Sequence, residues 1–277
     1  MGLIPGYNTN GMAHHRLPEA LELIRGAGFR AVALTLDIGH LDPLRATAAE
    51  VAATARQLRE LELTCVVETG GRYLLDPRRK HRPNLLEEEA GERQQRLDLL
   101  LRSLAIARDL GAGVVSFWSG VVPEGVTEAT ARVRLAEGVD RLLAAAKERG
   151  LRLALEPEPG HLVERVAQWR ELAGSFPDPA FGLCLDLGHL AANREGGLAE
   201  VLTPADVPRL YQVHLEDARP GLHLHLEPGE GELDFPALLA ILARRGYRGP
   251  VCWELSRSSH RAPQALAAAW QWWTRSQ

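Results

Sequence analysis

The strongest constraint on this chain is an alternation that runs unbroken from end to end. Short apolar runs of strand length are each followed by a longer segment with apolar residues at three and four spacing. The short runs fall at 3–7, 31–36, 64–68, 113–118, 152–156, 182–186, 210–215 and 251–255. Helical spacing covers 17–27, 48–61, 97–110, 131–149, 163–173, 235–245 and 263–273, with a weaker pattern at 191–202. Gly28, Gly111, Gly150 and Gly246 follow helical segments closely, where a left-handed C-terminal cap is needed. A strand covered on both faces reads as a continuous apolar run rather than an alternating one. Eight β-then-α units in 277 residues therefore predict an α/β fold, a single (β/α)8 TIM barrel over residues 1–277. An open doubly wound sheet is the competitor. It would place a glycine-rich phosphate turn after the first strand, where this chain has GYNTNG instead.

Composition narrows the partners. The net charge of −4 and the pI of about 6.2 give no basic footprint for nucleic acid. No run of about 18 apolar residues exists to cross a membrane. The opening MGLIPGYNTNG lacks the basic and apolar regions of a signal peptide, so the expected location is cytoplasmic. Cys65, Cys184 and Cys252 all lie in apolar runs, without the spacing of a zinc clip, and their odd number argues against a disulfide framework.

In a barrel of this kind, chemistry gathers at the C-terminal tips of the strands. The fifth run ends LALEPEP, which supplies Glu156 and Glu158. The sixth ends CLDLGH, with Asp186 and His189; the seventh ends VHLED, with His214, Glu216 and Asp217; the eighth ends CWEL, with Glu254. Any one of these, taken alone, is as well explained by an arginine partner or a helix cap. Four consecutive tips bearing Asp, Glu or His after apolar runs are harder to explain without a cation, because a buried carboxylate is costly unless it is paired. Three carboxylates and an imidazole make a mostly oxygen site suited to one divalent ion, Mn²⁺, Mg²⁺ or Co²⁺, with Zn²⁺ the less typical alternative.

The segments LALEPEPG, DLGH, VHLED, HLHLEPGEGELDF and CWE resemble the xylose isomerase-like barrel superfamily, the sugar phosphate isomerases and epimerases, and the resemblance covers essentially the whole chain. DLGH and the pattern from His225 to Asp234 are its most specific pieces. The resemblance implies that Glu156, Asp186, His214 and Glu254 hold the metal and that His189 contacts substrate. In the family's endonuclease branch the positions of His223 and His225 are further ligands, the first being Asp there. Here His225 is a candidate substrate contact alongside Glu158, and Asp217 is expected to orient His214 from behind.

The first half of the chain is less decisive. Its early loops bring Asn8, Asn10, His14 and His15, then Asp37, His40 and Asp42, then Glu68, Arg72, Lys80 and His81 to the active face. Of these, His40 and Arg72 are the candidate substrate contacts, while Arg78, Arg79 and Arg82 read as a solvated loop. Trp118 is either a wall for a sugar face or plain core.

The resemblance implies a metal-dependent isomerase or epimerase of a sugar or sugar phosphate. Glu156 and Glu254 would remove and return a carbon-bound proton through an enediolate. A sugar or shikimate-type dehydratase on the same barrel is the alternative. An apurinic-site endonuclease is disfavoured, because such enzymes use histidines at the third and fourth strand tips, where this chain has VVETGG and SFWSG. The family's habit of forming dimers and tetramers makes a homo-oligomer an expectation, and nothing in the sequence marks a surface for it.

Overall fold

The computed structural model describes residues 2–276. Eight parallel strands close in the order β1 (Ile4–Asn8), β10 (Pro250–Trp253), β7 (Leu210–Leu215), β6 (Phe181–Asp186), β5 (Arg152–Leu155), β4 (Val114–Phe117), β3 (Thr64–Glu68) and β2 (Ala31–Thr35). All eight expected strands are present, with ends shifted by a residue or two. Helices α1 (Leu17–Ala27), α2 (Ala48–Glu60), α3 (Ala90–Leu110), α4 (Glu128–Glu148), α5 (Val166–Ser175), α8 (Phe235–Arg244) and α9 (Ala262–Arg275) cover the outside.

Local chemistry explains these elements. In α1 the buried residues Leu17, Ala20, Leu21 and Ile24 repeat at three and four, Pro18 stands in the first turn, and Gly28 closes the helix at φ 119°. Thr47 caps α2 by accepting from the Glu50 backbone N–H. Helix α3 begins seven residues before its apolar pattern. Its first turns are polar, and one of their polar residues, Arg96, is buried, so periodicity alone misses them.

The weak pattern at 191–202 is not one helix. It resolves into α6 (Leu187–Ala192) and α7 (Leu198–Val201). Helix α6 starts directly off β6, because Asp186 is its N-cap and accepts from the His189 N–H. A further departure is an antiparallel hairpin between the seventh and eighth barrel strands, β8 (Asp217–Arg219) paired with β9 (Leu222–Leu226).

Two apolar cores result. The larger fills the space between strands and helices; a smaller one lies inside the barrel and includes Ala31, Ala33, Val66, Val114, Ala154, Cys184 and Cys252. Apart from Tyr211 its buried side chains are no larger than valine, and strands approach closely there: a Cβ on Gly6 would collide with the Cys252 thiol. The strand period of two then fixes what stands above. Two residues beyond Ala33, Val66, Ala154, Cys184 and Cys252 come Thr35, Glu68, Glu156, Asp186 and Glu254. The barrel interior thus changes from apolar to polar within one pleat, at the end where the strands finish. The three cysteines are free and buried, and none of the described helices is long and apolar enough to cross a membrane.

Candidate metal centre and active site

His214 is the hub of the polar layer. Its Nδ1 lies 2.9 Å from Glu156 Oε1, 2.8 Å from Glu254 Oε2 and 3.8 Å from Asp186 Oδ2. One ligand atom from each of Glu156, Asp186, His214 and Glu254 falls within 4.8 Å of all the others. Asp186 gives one oxygen to the α6 cap, while its Oδ2 is buried with no hydrogen-bond partner. An orphaned carboxylate oxygen beside two more carboxylates and an imidazole is what a divalent cation would satisfy, so the residues fit such an ion. Glu254 is held from its far side by Asn10 Nδ2 at 2.8 Å. Burial pushes the Glu156 carboxyl up, against the pull of His214, whereas for Glu254 the attraction of His214 outweighs burial and holds the carboxyl down. The two glutamates therefore differ in their hold on a proton.

A second histidine cluster adjoins the first. His189 Nδ1 is 2.9 Å from the Pro157 carbonyl, which leaves Nε2 facing His223 Nε2 at 3.1 Å and Glu158 Oε2 at 3.5 Å. His223 Nε2 is in turn 3.0 Å from His225 Nε2, and His225 Nδ1 bonds Glu216. His225 adopts φ 46°, a strained backbone for a residue with a Cβ, of the kind that gathers at functional sites. Gly188 of the DLGH segment makes room for Glu216, whose carboxylate a Cβ there would strike. Burial by itself would push His189 and His225 down. Asp186 and Glu158 outweigh it for His189, and Glu216 for His225, so the two rise to about 10 and about 9. Burial also pushes the Glu216 carboxyl up, to about 8, with Asp186 adding to it.

Another part of the lining has the other sign. Arg72, Lys80 and Arg257 reach the same cavity of about 200 Å³, and among the described residues none of the three has a carboxylate partner within salt-bridge distance. Trp118 stands edge-on to His81 and His161, with ring centroids 4.8 and 5.4 Å apart, and the buried Arg96 lies under it at 4.6 Å. Burial first, then neighbouring cations, pushes both histidines down to about 3.

The structure thus gathers Glu156, Glu158, His214, His225 and Glu254 around one cavity, with Arg72 at its edge, and clusters Asp186 and His189 with them just behind the lining. His40 lies apart: it is buried at the second β/α loop, its Nε2 is 2.9 Å from the His15 carbonyl, and it does not line this cavity. Asp217 was expected to orient His214 and does not touch it. Its carboxylate accepts instead from the backbone N–H groups of Ala218, Gly229 and Leu233, and so ties down the PGEG loop. Arg79 and Arg82 pair with Asp76, Glu92 and Glu87, as a structural loop would. Two residues escape sequence reasoning. Arg257 carries no motif, and Gln212 is an ordinary polar residue in a strand, its only signal being that it is two residues before His214 and so on the same face.

The family model described as xylose isomerase-like TIM barrel matches residues 21–276. L-ribulose-5-phosphate 3-epimerase UlaE of Escherichia coli O1:K1 is 26% identical over 263 residues, covering 93% of this chain and 88% of the relative. Among solved structures, a D-tagatose 3-epimerase-like protein superposes with a TM-score of 0.79 at 18% identity, covering 99% of both chains. The IOLI protein, whose structure holds a zinc atom, gives 0.79 at 19% identity, covering 99% of this chain and 98% of the other. At these identities the structural matches speak for the fold alone.

Proposed function

We propose that this chain, which belongs to the xylose isomerase-like TIM barrel family, is a divalent-metal-dependent epimerase of a ketose phosphate. The observation that carries the reading is the flanking of His214 Nδ1 by two glutamates from different strands, Glu156 at 2.9 Å and Glu254 at 2.8 Å, beside an unpartnered Asp186 oxygen. Bound there, a Mn²⁺, Mg²⁺, Co²⁺ or Zn²⁺ ion would supply Lewis-acid stabilisation of the charge that develops when a sugar carbonyl enolises.

The chain's own residues do the rest. One glutamate takes the proton from the carbon next to the carbonyl, and the C–H electron pair moves into the enediolate. The other glutamate returns a proton to the opposite face, which inverts that carbon. Return from the same face restores the starting sugar, and return to the neighbouring carbon gives an isomer. Glu158 and His225 line the side where hydroxyls would be held, with His189 Nε2 3.5 Å behind Glu158. Arg72, Lys80 and Arg257 form a cationic edge, a fit for a phosphate ester at the far end of the substrate. The relative at 26% identity acts, by its name, on a sugar phosphate.

The test is solvent exchange. Metal-loaded protein in deuterium oxide should place deuterium on the carbon adjacent to the carbonyl of a five- or six-carbon ketose phosphate and yield its epimer. Loss of water with appearance of an enol-derived absorbance would replace this reading with a dehydratase. No exchange with any ketose or metal would end it.

A further inference from the structure

Beneath the metal centre, at the end of β3, lies a buried carboxylate that the reaction above does not use. Glu68 is 5% exposed, and its oxygens are fully engaged. Asn8 Nδ2 donates to Oε2 at 2.7 Å and the Thr35 hydroxyl is 2.9 Å from the same atom. Gln212 Nε2 donates to Oε1 at 2.9 Å. The remaining contact of Oε1 is His214 Nε2, at 2.6 Å, and the Gln212 amide nitrogen also lies 2.5 Å from that ring nitrogen, so two donors crowd the one acceptor oxygen. Four strands (β1, β2, β3 and β7) thus spend a polar side chain each inside the barrel, in the layer directly above its small apolar core.

We propose that Glu68 is a positioning residue of the metal centre: it fixes the proton of His214 on Nε2, and thereby presents Nδ1 as the coordinating atom toward Glu156, Asp186 and Glu254. The inference rests on the metal centre assigned above. Asn8 and Gln212 donate N–H groups to Glu68, so its oxygens act here as acceptors. The hydrogen between Glu68 and His214 therefore belongs to the imidazole. The other tautomer would set a nitrogen lone pair 2.6 Å from a carboxylate oxygen and point a protonated Nδ1 at the position of the ion. A carboxylate behind a ligating histidine also raises the basicity of the ligand, and losing such a partner commonly weakens metal binding by about 10–100-fold. This accounts for a buried carboxylate at the end of β3, and for the absence of Asp217 from His214: the orienting group comes from the opposite side of the barrel, not from the next residues in sequence.

The experiment uses the full chain, stripped with a chelator and reloaded. In the Zn²⁺-loaded, ¹⁵N-histidine-labelled protein, the His214 signals, assigned by their loss in His214→Ala, should show a metal-bound Nδ1 and a hydrogen-bonded Nε2–H. Calorimetric titration with Mn²⁺ should give an affinity about 10–100-fold lower for Glu68→Gln than for wild type. Glu68→Gln keeps the shape and an acceptor oxygen while removing the charge. Wild-type protein that coordinates through Nε2 would overturn the proposal whether or not the variant folds. A folded Glu68→Gln with wild-type Mn²⁺ affinity would overturn the role of Glu68 and leave the centre standing. Wild-type protein that binds no divalent metal would overturn the centre and Glu68's role together.

Discussion

Next to β6 and the β8–β9 hairpin, His189 and His225 are carried up to about 10 and about 9, while around Trp118 His81 and His161 fall to about 3. Burial pushes all four in the same direction, down. The difference lies in the neighbours: Asp186, Glu158 and Glu216 surround the first pair, and Lys80 and Arg96 lie near His81. A cavity with one carboxylate-rich part and one cationic, aromatic part is polarised, which is the character that the proposed ketose phosphate, chelating at one end and anionic at the other, would need. Burial depth alone would have described both walls as equivalent.

The largest test of this contrast is removal of the carboxylate wall's charge. Asp186→Asn should reduce bound metal to near background, because the altered oxygen is the buried one without any protein partner. Metal analysis after dialysis checks it, and full occupancy would mean that the polarity of this wall has another purpose. Next in size are Glu156→Gln and Glu254→Gln. Each should retain a share of the metal and lose about 10²–10⁴-fold in turnover, the usual contribution of a positioned acid or base. The two should also differ in which epimer still exchanges its proton with solvent. Near wild-type turnover in both would remove the glutamates from the proton path.

On the cationic wall, Arg72→Ala should raise KM for a phosphate ester by about tenfold while leaving kcat nearly unchanged. A lost charge-assisted hydrogen bond at an exposed edge costs on the order of 1.4 kcal/mol. Equal effects on the free sugar would show that this edge does not read phosphate.

The smallest effect concerns His81 and His161. Their folded values lie near 3, below the ordinary histidine range, so between about 6.5 and 3 the unfolded chain binds more protons than the folded one. Their contribution to stability is therefore complete above pH 6.5 and declines as pH falls toward 3. Thermal midpoints of wild type and His161→Gln should converge over that window. A pH-independent gap would show that His161 is not held neutral by its surroundings.

Much of this was legible in order along the chain. The eight strands announce themselves because strands buried on both faces must be apolar throughout, and the four side chains that cluster, Glu156, Asp186, His214 and Glu254, were legible because each stands at the end of such a run. What was not legible depended on side chains far apart in sequence. Asp217 stood near His214 in the sequence yet turns to the backbone of the loop at 229–233. His40 looked like its neighbours on the active face and is bound to the His15 carbonyl instead.

The sequence by itself determined the barrel, since the period and burial of each element are properties of local residues, and it determined the parity that points five chemistry-bearing side chains inward. Tertiary structure alone decided which of these meet and with what sign. Glu68 reaches His214 across 146 positions, and Arg257 joins Arg72 and Lys80 only because barrel closure brings β10 back beside β1. Electrostatic character falls off with distance in space, not along the chain. The walls of the cavity therefore acquire their opposite charges only once the sheet has closed.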